Sequence, residues 1–295
     1  LPKLMECVPN FSLGQDKEKL EQILNQIRSV PGVRLLDYSM DASQNRSVTT
    51  FVGEPEAVSE AAFLAIQEAA KLIDMTVHKG EHPRMGATDV CPFVPISDMT
   101  MDECAEYAKS LGKRVGEELN IPVYLYEAAA NAPYRKNLAD IRRGEYEGMA
   151  EKMKRPEWKP NFGPTELGTA GVTAIGARPF LIAYNIYLNT TNISVAKKIA
   201  FRIRAKNGGF SSIKALGFMS RERACVEVSM NMVDFKKSSL YHAFEFIKRE
   251  AENYGVTVSE SEIVGLVPQE ALLDAAKWYL RLHSFDNAQI FENNL

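Results

Sequence analysis

Phe180-Leu181-Ile182-Ala183-Tyr184-Asn185-Ile186-Tyr187-Leu188 is an apolar run interrupted by one amide, and its β-branched and aromatic residues read as a strand. Downstream, Val195 to Ala205 has helical spacing, Ile213 to Met219 and Ala224 to Met232 read as strands, Ser239 to Tyr254 as a helix and Thr257 to Leu266 as a strand. A final helix begins at Pro268. The order β-α-β-β-α-β is that of a split βαβ sandwich, the ferredoxin-like arrangement.

The first half opens in the same order. Glu6 to Ser12 is a short strand closed by turn residues, and Leu20, Ile23, Leu24 and Ile27 mark one face of a helix. Val33 to Tyr38 and Ser47 to Val52 read as strands joined by a polar connection, Met40 to Arg46, and the Ala-rich stretch Glu56 to Leu72 is an amphipathic helix. Asp74 to Pro95 is a loop that ends in the apolar run Val90 to Val94. Asp102 to Glu118 is a helix with an acidic start, Val123 to Tyr126 a strand, and Asn137 to Lys154 a charged helix. From Lys159 to Gly176 glycines and prolines break all periodicity, so the lobes meet there. The expected fold class is α+β: two tandem ferredoxin-like subdomains, 1–178 and 179–295, with a groove between them.

Composition narrows the function. The 45% hydrophobic and 25% charged fractions are those of a folded globular chain. Basic and acidic residues, 35 and 38, nearly cancel, and no Lys/Arg run offers a phosphate-backbone footprint, so nucleic acid is not an expected partner. No stretch has the ~20 apolar residues of a membrane span, and the N-terminus lacks the parts of a signal peptide. Cys7, Cys91, Cys104 and Cys225 are too scattered for a disulfide framework and read as reduced thiols, which makes the expected location cytoplasmic.

Gly80-Glu81-His82-Pro83-Arg84-Met85-Gly86 concentrates an imidazole, a carboxylate and a guanidinium in a loop. Pro83 biases His82 toward extended backbone, which aims the ring; His82 is then either a proton-handling group or a satisfied surface histidine. His78 and His82 have metal-ligand spacing, but Gly80 and Pro83 disfavour the helix such a pair needs, and no metal is expected. In the connection Met40 to Arg46, Asp41, Asn45 and Arg46 offer a carboxylate, an amide and a guanidinium. Arg46 or Arg84 could fork onto a substrate carboxylate; the alternative is a solvated hairpin turn. Asp37, Asp41 and Asp89 are candidates to orient the imidazole. Gly163-Pro164-Thr165-Glu166-Leu167-Gly168-Thr169-Ala170-Gly171 fits neither a phosphate loop nor a dinucleotide fingerprint. Its glycines either admit a flat ligand to the backbone or form a linker.

Several blocks along nearly the whole chain resemble the glutamate formimidoyltransferase (formiminotransferase domain) family. They include Glu6-Cys7-Val8-Pro9-Asn10-Phe11-Ser12, Asn45-Arg46, Gly80 to Ala87 with Asp89-Val90-Cys91-Pro92-Phe93, Thr100 to Cys104, Gly144 to Glu147, Phe162-Gly163-Pro164, Gly176-Ala177-Arg178 and Val264 to Pro268. The resemblance implies transfer of a formimidoyl group from N-formimidoyl-L-glutamate to N5 of tetrahydrofolate, in histidine breakdown, by a homodimer. Some members carry a fused cyclodeaminase, whereas here little sequence follows Asp286, so the expectation is transfer alone.

The family's catalytic histidine falls on His82, as general base and then general acid. Its folate segment falls on Gly163, Pro164, Thr165 and Gly171, and this chain departs most from the family pattern at Thr165 to Ala170. Arg46, Arg84 and Arg178 are the candidate carboxylate partners, with Asp41, Asn10 and Asn45 as polar contacts. Two other readings stand beside this one: formyl transfer involving N-formylglutamate or 5-formyltetrahydrofolate on the same scaffold, and a non-catalytic folate-binding module.

Overall fold

Leu20, Ile23, Leu24 and Ile27 lie on one face of a helix, and all four are buried. In the computed structural model, which describes residues 2–220 and 222–294, that helix is α1, Lys17–Arg28, capped by the Asp16 side chain, which accepts from the Lys19 N–H at 3.0 Å. It lies between β1 (Leu4–Cys7) with β2 (Asn10–Phe11) and the hairpin β3 (Arg34–Asp41) and β4 (Arg46–Gly53). There follow α2 (Pro55–Leu72), β5 (Thr88–Ser97), α3 (Met101–Glu118) and β6 (Val123–Glu127). The unit closes with α4 (Leu138–Arg142), α5 (Glu145–Met153) and β7 (Thr173–Ala177). The chain divides into two compact units, Leu1–Pro179 and Phe180–Leu295.

The first unit holds a seven-stranded mixed sheet. β1 and β2 act as one interrupted strand between β4 and β5, antiparallel to both; β3 flanks β4; β7 and β6 extend the other side in parallel. Alternation sorts the side chains. Met5, Cys7, Phe11, Phe51, Cys91 and Phe93 join the core with α1, α2 and α3. Val90, Tyr124, Tyr126 and Ala174 form a second cluster with Ile141, Met149 and Met153 of α4 and α5.

Two local expectations fail. β7 lies where the sequence reads as a break, because a strand hydrogen-bonded on both sides and buried on both faces needs no alternation, and Thr173-Ala174-Ile175-Gly176-Ala177 is packed by size instead. Asn137 to Lys154 is two helices, interrupted at Gly144, whose φ of +95° suits glycine.

The second unit comprises β8 (Ile182–Leu188), α6 (Ile193–Ile203), β9 (Ile213–Ser220), β10 (Cys225–Met232), α7 (Leu240–Glu252), β11 (Val258–Val264) and α8 (Gln269–Leu280). Its four strands are antiparallel in the order β11-β8-β10-β9, and Ile186, Leu188, Val228, Ile199 and Ile247 are fully buried in a separate core. With two sheets and eight α-helices among the described residues, the class is α+β.

Candidate active site

The tip of the β3–β4 hairpin is built by Asp41. Its Oδ1 accepts from the N–H groups of Ser43 and Gln44, both at 2.9 Å, and from the Ser43 hydroxyl at 2.7 Å. Burial raises this carboxyl, but those donors and Arg46 outweigh it and hold Asp41 below the usual carboxylate range. Asn45 follows with φ +47°, a left-handed conformation that Asn tolerates. From there its side chain ties two segments to the hairpin: Oδ1 accepts from Gly14 N–H at 2.9 Å and Nδ2 donates to the Lys79 carbonyl at 2.8 Å. The Glu81 N–H adds a bond to the Ser43 carbonyl at 3.2 Å. The His82 loop therefore rests on the hairpin.

His78 and Arg84 close the loop from inside. His78 Nε2 lies 3.0 Å from the Asn45 carbonyl, and Arg84 Nε donates to His78 Nδ1 at 3.4 Å, a pattern that requires the Nε2–H tautomer. Burial keeps His78 neutral by lowering its pKa. The Arg84 guanidinium, in a residue only 6% exposed, donates to Glu147 at 2.7 and 2.8 Å, to Glu145 at 2.9 Å and to the His78 carbonyl at 3.2 Å. It is saturated by protein groups.

Below the loop, Asp89 is 2% exposed. One oxygen accepts from the Met85 N–H at 2.9 Å, and the other is paired with Arg142 of α4. His82 lies partly buried over this arrangement, and its pKa falls to about 3 because burial, Arg46 and Arg142 all disfavour the imidazolium. The resting ring is neutral, with a lone pair available. The Arg46 side chain is partly buried and makes no hydrogen bond or ion pair with the described residues. His82, Asn45, Arg46, Arg84 and Asp89 share one hollow with Phe11, Ser12, Gln44 and His78.

Other sequence candidates lie elsewhere. The Asn10 amide bonds the Val8 carbonyl at 3.1 Å, and none of Asp37, Asp41 and Asp89 hydrogen-bonds His82. Arg178 follows β7, donates to the Pro179 carbonyl at 3.1 Å, and faces Glu6 and Tyr126 on the sheet. Gly163 and Gly171 have φ of +82° and +70° and abut the carbonyls of Ile121 and Met85, whereas Pro164 and Thr165 lie on the connecting loop. The end of that loop is bonded to the His82 loop: Ala87 N–H donates to Ala170 O at 2.8 Å, Val172 N–H to Met85 O at 2.9 Å, and Gly86 bridges Gly171.

Glu6 is 4% exposed, and burial, only partly offset by Arg178, lifts its carboxyl to about 7. Above pH 4.5 the unfolded chain releases this proton while the folded one retains it, so its contribution to stability declines as pH rises to about 7. Glu6→Gln should therefore stabilise the protein at pH 8 by up to about 3 kcal/mol, with almost no gain at pH 4. Urea unfolding at the two pH values measures the difference.

The profile of the formiminotransferase domain's N-terminal subdomain matches residues 4–178, and that of the formiminotransferase domain matches residues 183–293. The chain belongs to the formiminotransferase family. It is 52% identical to a glutamate formimidoyltransferase of Streptococcus pyogenes serotype M1, over 100% of this chain and 99% of that one. Its identity to the glutamate formimidoyltransferase of Thermoplasma acidophilum is 51%, over 99% and 97%. It is 46% identical to the mouse formimidoyltransferase-cyclodeaminase, over 95% of this chain and 53% of the mouse protein. The formiminotransferase fold also delivers Arg142, which no motif in the sequence singles out, and holds it through Lys152. The Lys152 ammonium donates to the carbonyls of Asp140 and Ile141, both at 2.6 Å, at the end of α4. Among the described residues no group of three His, Cys, Asp or Glu is arranged to hold a metal ion, and no helix is long and apolar enough to cross a membrane.

Proposed function

We propose that the chain transfers the formimidoyl group of N-formimidoyl-L-glutamate to N5 of tetrahydrofolate, giving 5-formimidoyltetrahydrofolate and L-glutamate. The observation that carries this is the neutral His82 imidazole beside the partnerless Arg46 guanidinium, in a chain of this family. His82 takes the N5 proton as the bond from N5 to the amidine carbon forms. It then returns a proton to the glutamate nitrogen as the bond between that nitrogen and the amidine carbon breaks. Arg46 receives a donor carboxylate, a fit of guanidinium to both oxygens. Asn45 fixes the hairpin, and Asp41 holds its tip.

Arg84 acts as a positioning residue, since its donors are all engaged within the protein. Asn10 and Arg178 serve farther along the sheet, where an elongated co-substrate extends beyond the reacting atoms. Gly163, Pro164, Thr165 and Gly171 belong to the folate segment, a reading supported by the bonds between its end and the His82 loop. The subdomains are 1–178 and 179–295, each of ferredoxin-like descent. The strand order β11-β8-β10-β9 with α6 and α7 supports this, as does β5-β1-β4-β3 with α1 and α2. The working form is a cytoplasmic homodimer without a metal.

Turnover of the purified protein with tetrahydrofolate and either N-formimidoyl- or N-formyl-L-glutamate tests the assignment. Formimidoyl transfer is the expected result. Turnover of the formyl donor alone would replace it with formyl transfer, and folate binding without turnover of either donor would replace it with a binding module.

A further inference from the structure

Two guanidiniums lie near His82, and only one is matched by a carboxylate. Arg142 commits one Nη to Asp89, while its buried Nε–H has no acceptor. The Arg46 side chain has no hydrogen-bond or ion-pair partner, and Arg142 is close enough to disfavour its charge. The other charges near the loop do not correct the imbalance. Asp89 already serves Arg142 and the Met85 N–H, Asp41 is bound by Ser43 and Gln44, and Glu145 and Glu147 are matched to Arg84. Lys79 and Glu81, on the loop itself, are exposed. A partly desolvated cation without an ion-pair partner is costly, and a carboxylate is the anion whose two oxygens match guanidinium N–H pairs.

We propose that Arg142 is a donor-binding residue, and that its guanidinium and that of Arg46 together hold one carboxylate of the donor amino acid beside His82. This deepens the formimidoyl-transfer reading and rests on it. A second effect follows from the same placement. The cations of Arg46 and Arg142 oppose protonation of His82, so a carboxylate between them cancels that field and makes the ring a stronger base once the donor is seated. The ring is then prepared for its proton by the substrate that requires the transfer.

The test uses Arg142→Met and Arg142→Lys in the full chain, checked for folding by thermal unfolding. KM for donor and for tetrahydrofolate are measured separately, and His82 is titrated by NMR with and without glutarate, a dicarboxylate that lacks the reacting group. In the wild type, glutarate should raise the pKa of His82. Arg142→Met should raise the donor KM roughly 10- to 100-fold, as loss of charge-assisted hydrogen bonds does. It should leave the folate KM in place, raise the pKa of unliganded His82 and shrink the glutarate response. Arg142→Lys keeps the charge beside Asp89 but loses the fork, so the unliganded titration should stay while the donor KM still rises. Folded variants with unchanged donor KM and an intact glutarate response would overturn the proposal and leave Arg142 a structural partner of Asp89. If Arg142→Met does not fold, Arg142→Lys decides by the same two readouts. If the wild type turns over neither donor, the transfer reading falls, and an Arg142-dependent glutarate response would still establish the carboxylate seat.

Discussion

His82→Ala should lower kcat by about 10²- to 10⁴-fold, the range for loss of a general acid–base group, while tetrahydrofolate binding persists. The substitution should leave the surrounding framework in place. Asn45 holds Gly14 and Lys79, Arg84 holds Glu145 and Glu147, and Asp89 holds Arg142, none of them through the His82 ring. Its pH behaviour is distinctive. Folded His82 resists protonation down to about pH 3, whereas an unfolded histidine gains a proton near 6.5. Stability from this group is therefore complete above about 6.5 and declines as pH falls toward 3, and removing the ring should flatten that decline. In kinetics, the acid limb of kcat/KM that belongs to His82 should lie well below 6.5, since that quantity reports the free enzyme. Paired pH profiles and urea titrations of wild type and His82→Ala check both. An unchanged kcat in the variant would remove His82 from the reaction.

Gly171→Ala should destabilise the protein by roughly 2–5 kcal/mol, combining left-handed strain with backbone overlap. At φ +70° an added Cβ would lie 2.4 Å from the Met85 carbonyl oxygen and 2.8 Å from the Gly86 Cα, so neither contact can be relieved by turning a side chain. Relief means parting Gly171 from Gly86 and with it the bond from Val172 N–H to Met85 O, which anchors the loop one residue beyond Arg84. kcat should fall along with stability. Gly168→Ala is the companion measurement: Gly168 has open space where a Cβ would go and no positive φ, so stability should hold. A rise in the folate KM of Gly168→Ala alone would mark this segment as a folate contact. Equal stability of the two variants would refute the packing account of Gly171.

Much of this was legible in the residues, and the gaps have physical causes. The helices announced themselves by spacing, as with Leu20, Ile23, Leu24 and Ile27, since a surface helix must turn one apolar stripe inward. The second unit's strands were readable for the same kind of reason, with Val226, Val228, Met230 and Met232 alternating into the core. Thr173 to Ala177 escaped notice because small residues with neighbours on every side carry no alternation. The density of polar and turn residues around His82 marked it as a candidate but left a surface histidine equally open, and only the family resemblance gave it a role. Arg142 was not marked, because the carboxylate it meets lies 53 residues away in the chain, and no local pattern records such a meeting. Arg84 looked free to fork onto a substrate, yet Glu145 and Glu147, in the first turn of α5 just after Gly144, occupy its fork.

The late placement of β7 also sets the order in which a nascent chain can assemble this unit. β7 fills the gap between β5 and β6, both translated earlier, so until residue 177 has left the ribosome the two strands it joins present unpaired edges. The Gly171 anchor of the His82 loop arrives in the same stretch. A translation product stopped after β6 would hold three of this unit's five α-helices and the complete Gly80 to Gly86 loop but not the strand that joins β5 to β6. The strand that joins β5 to β6 and the backbone anchor of the His82 loop are thus gained in one step of synthesis.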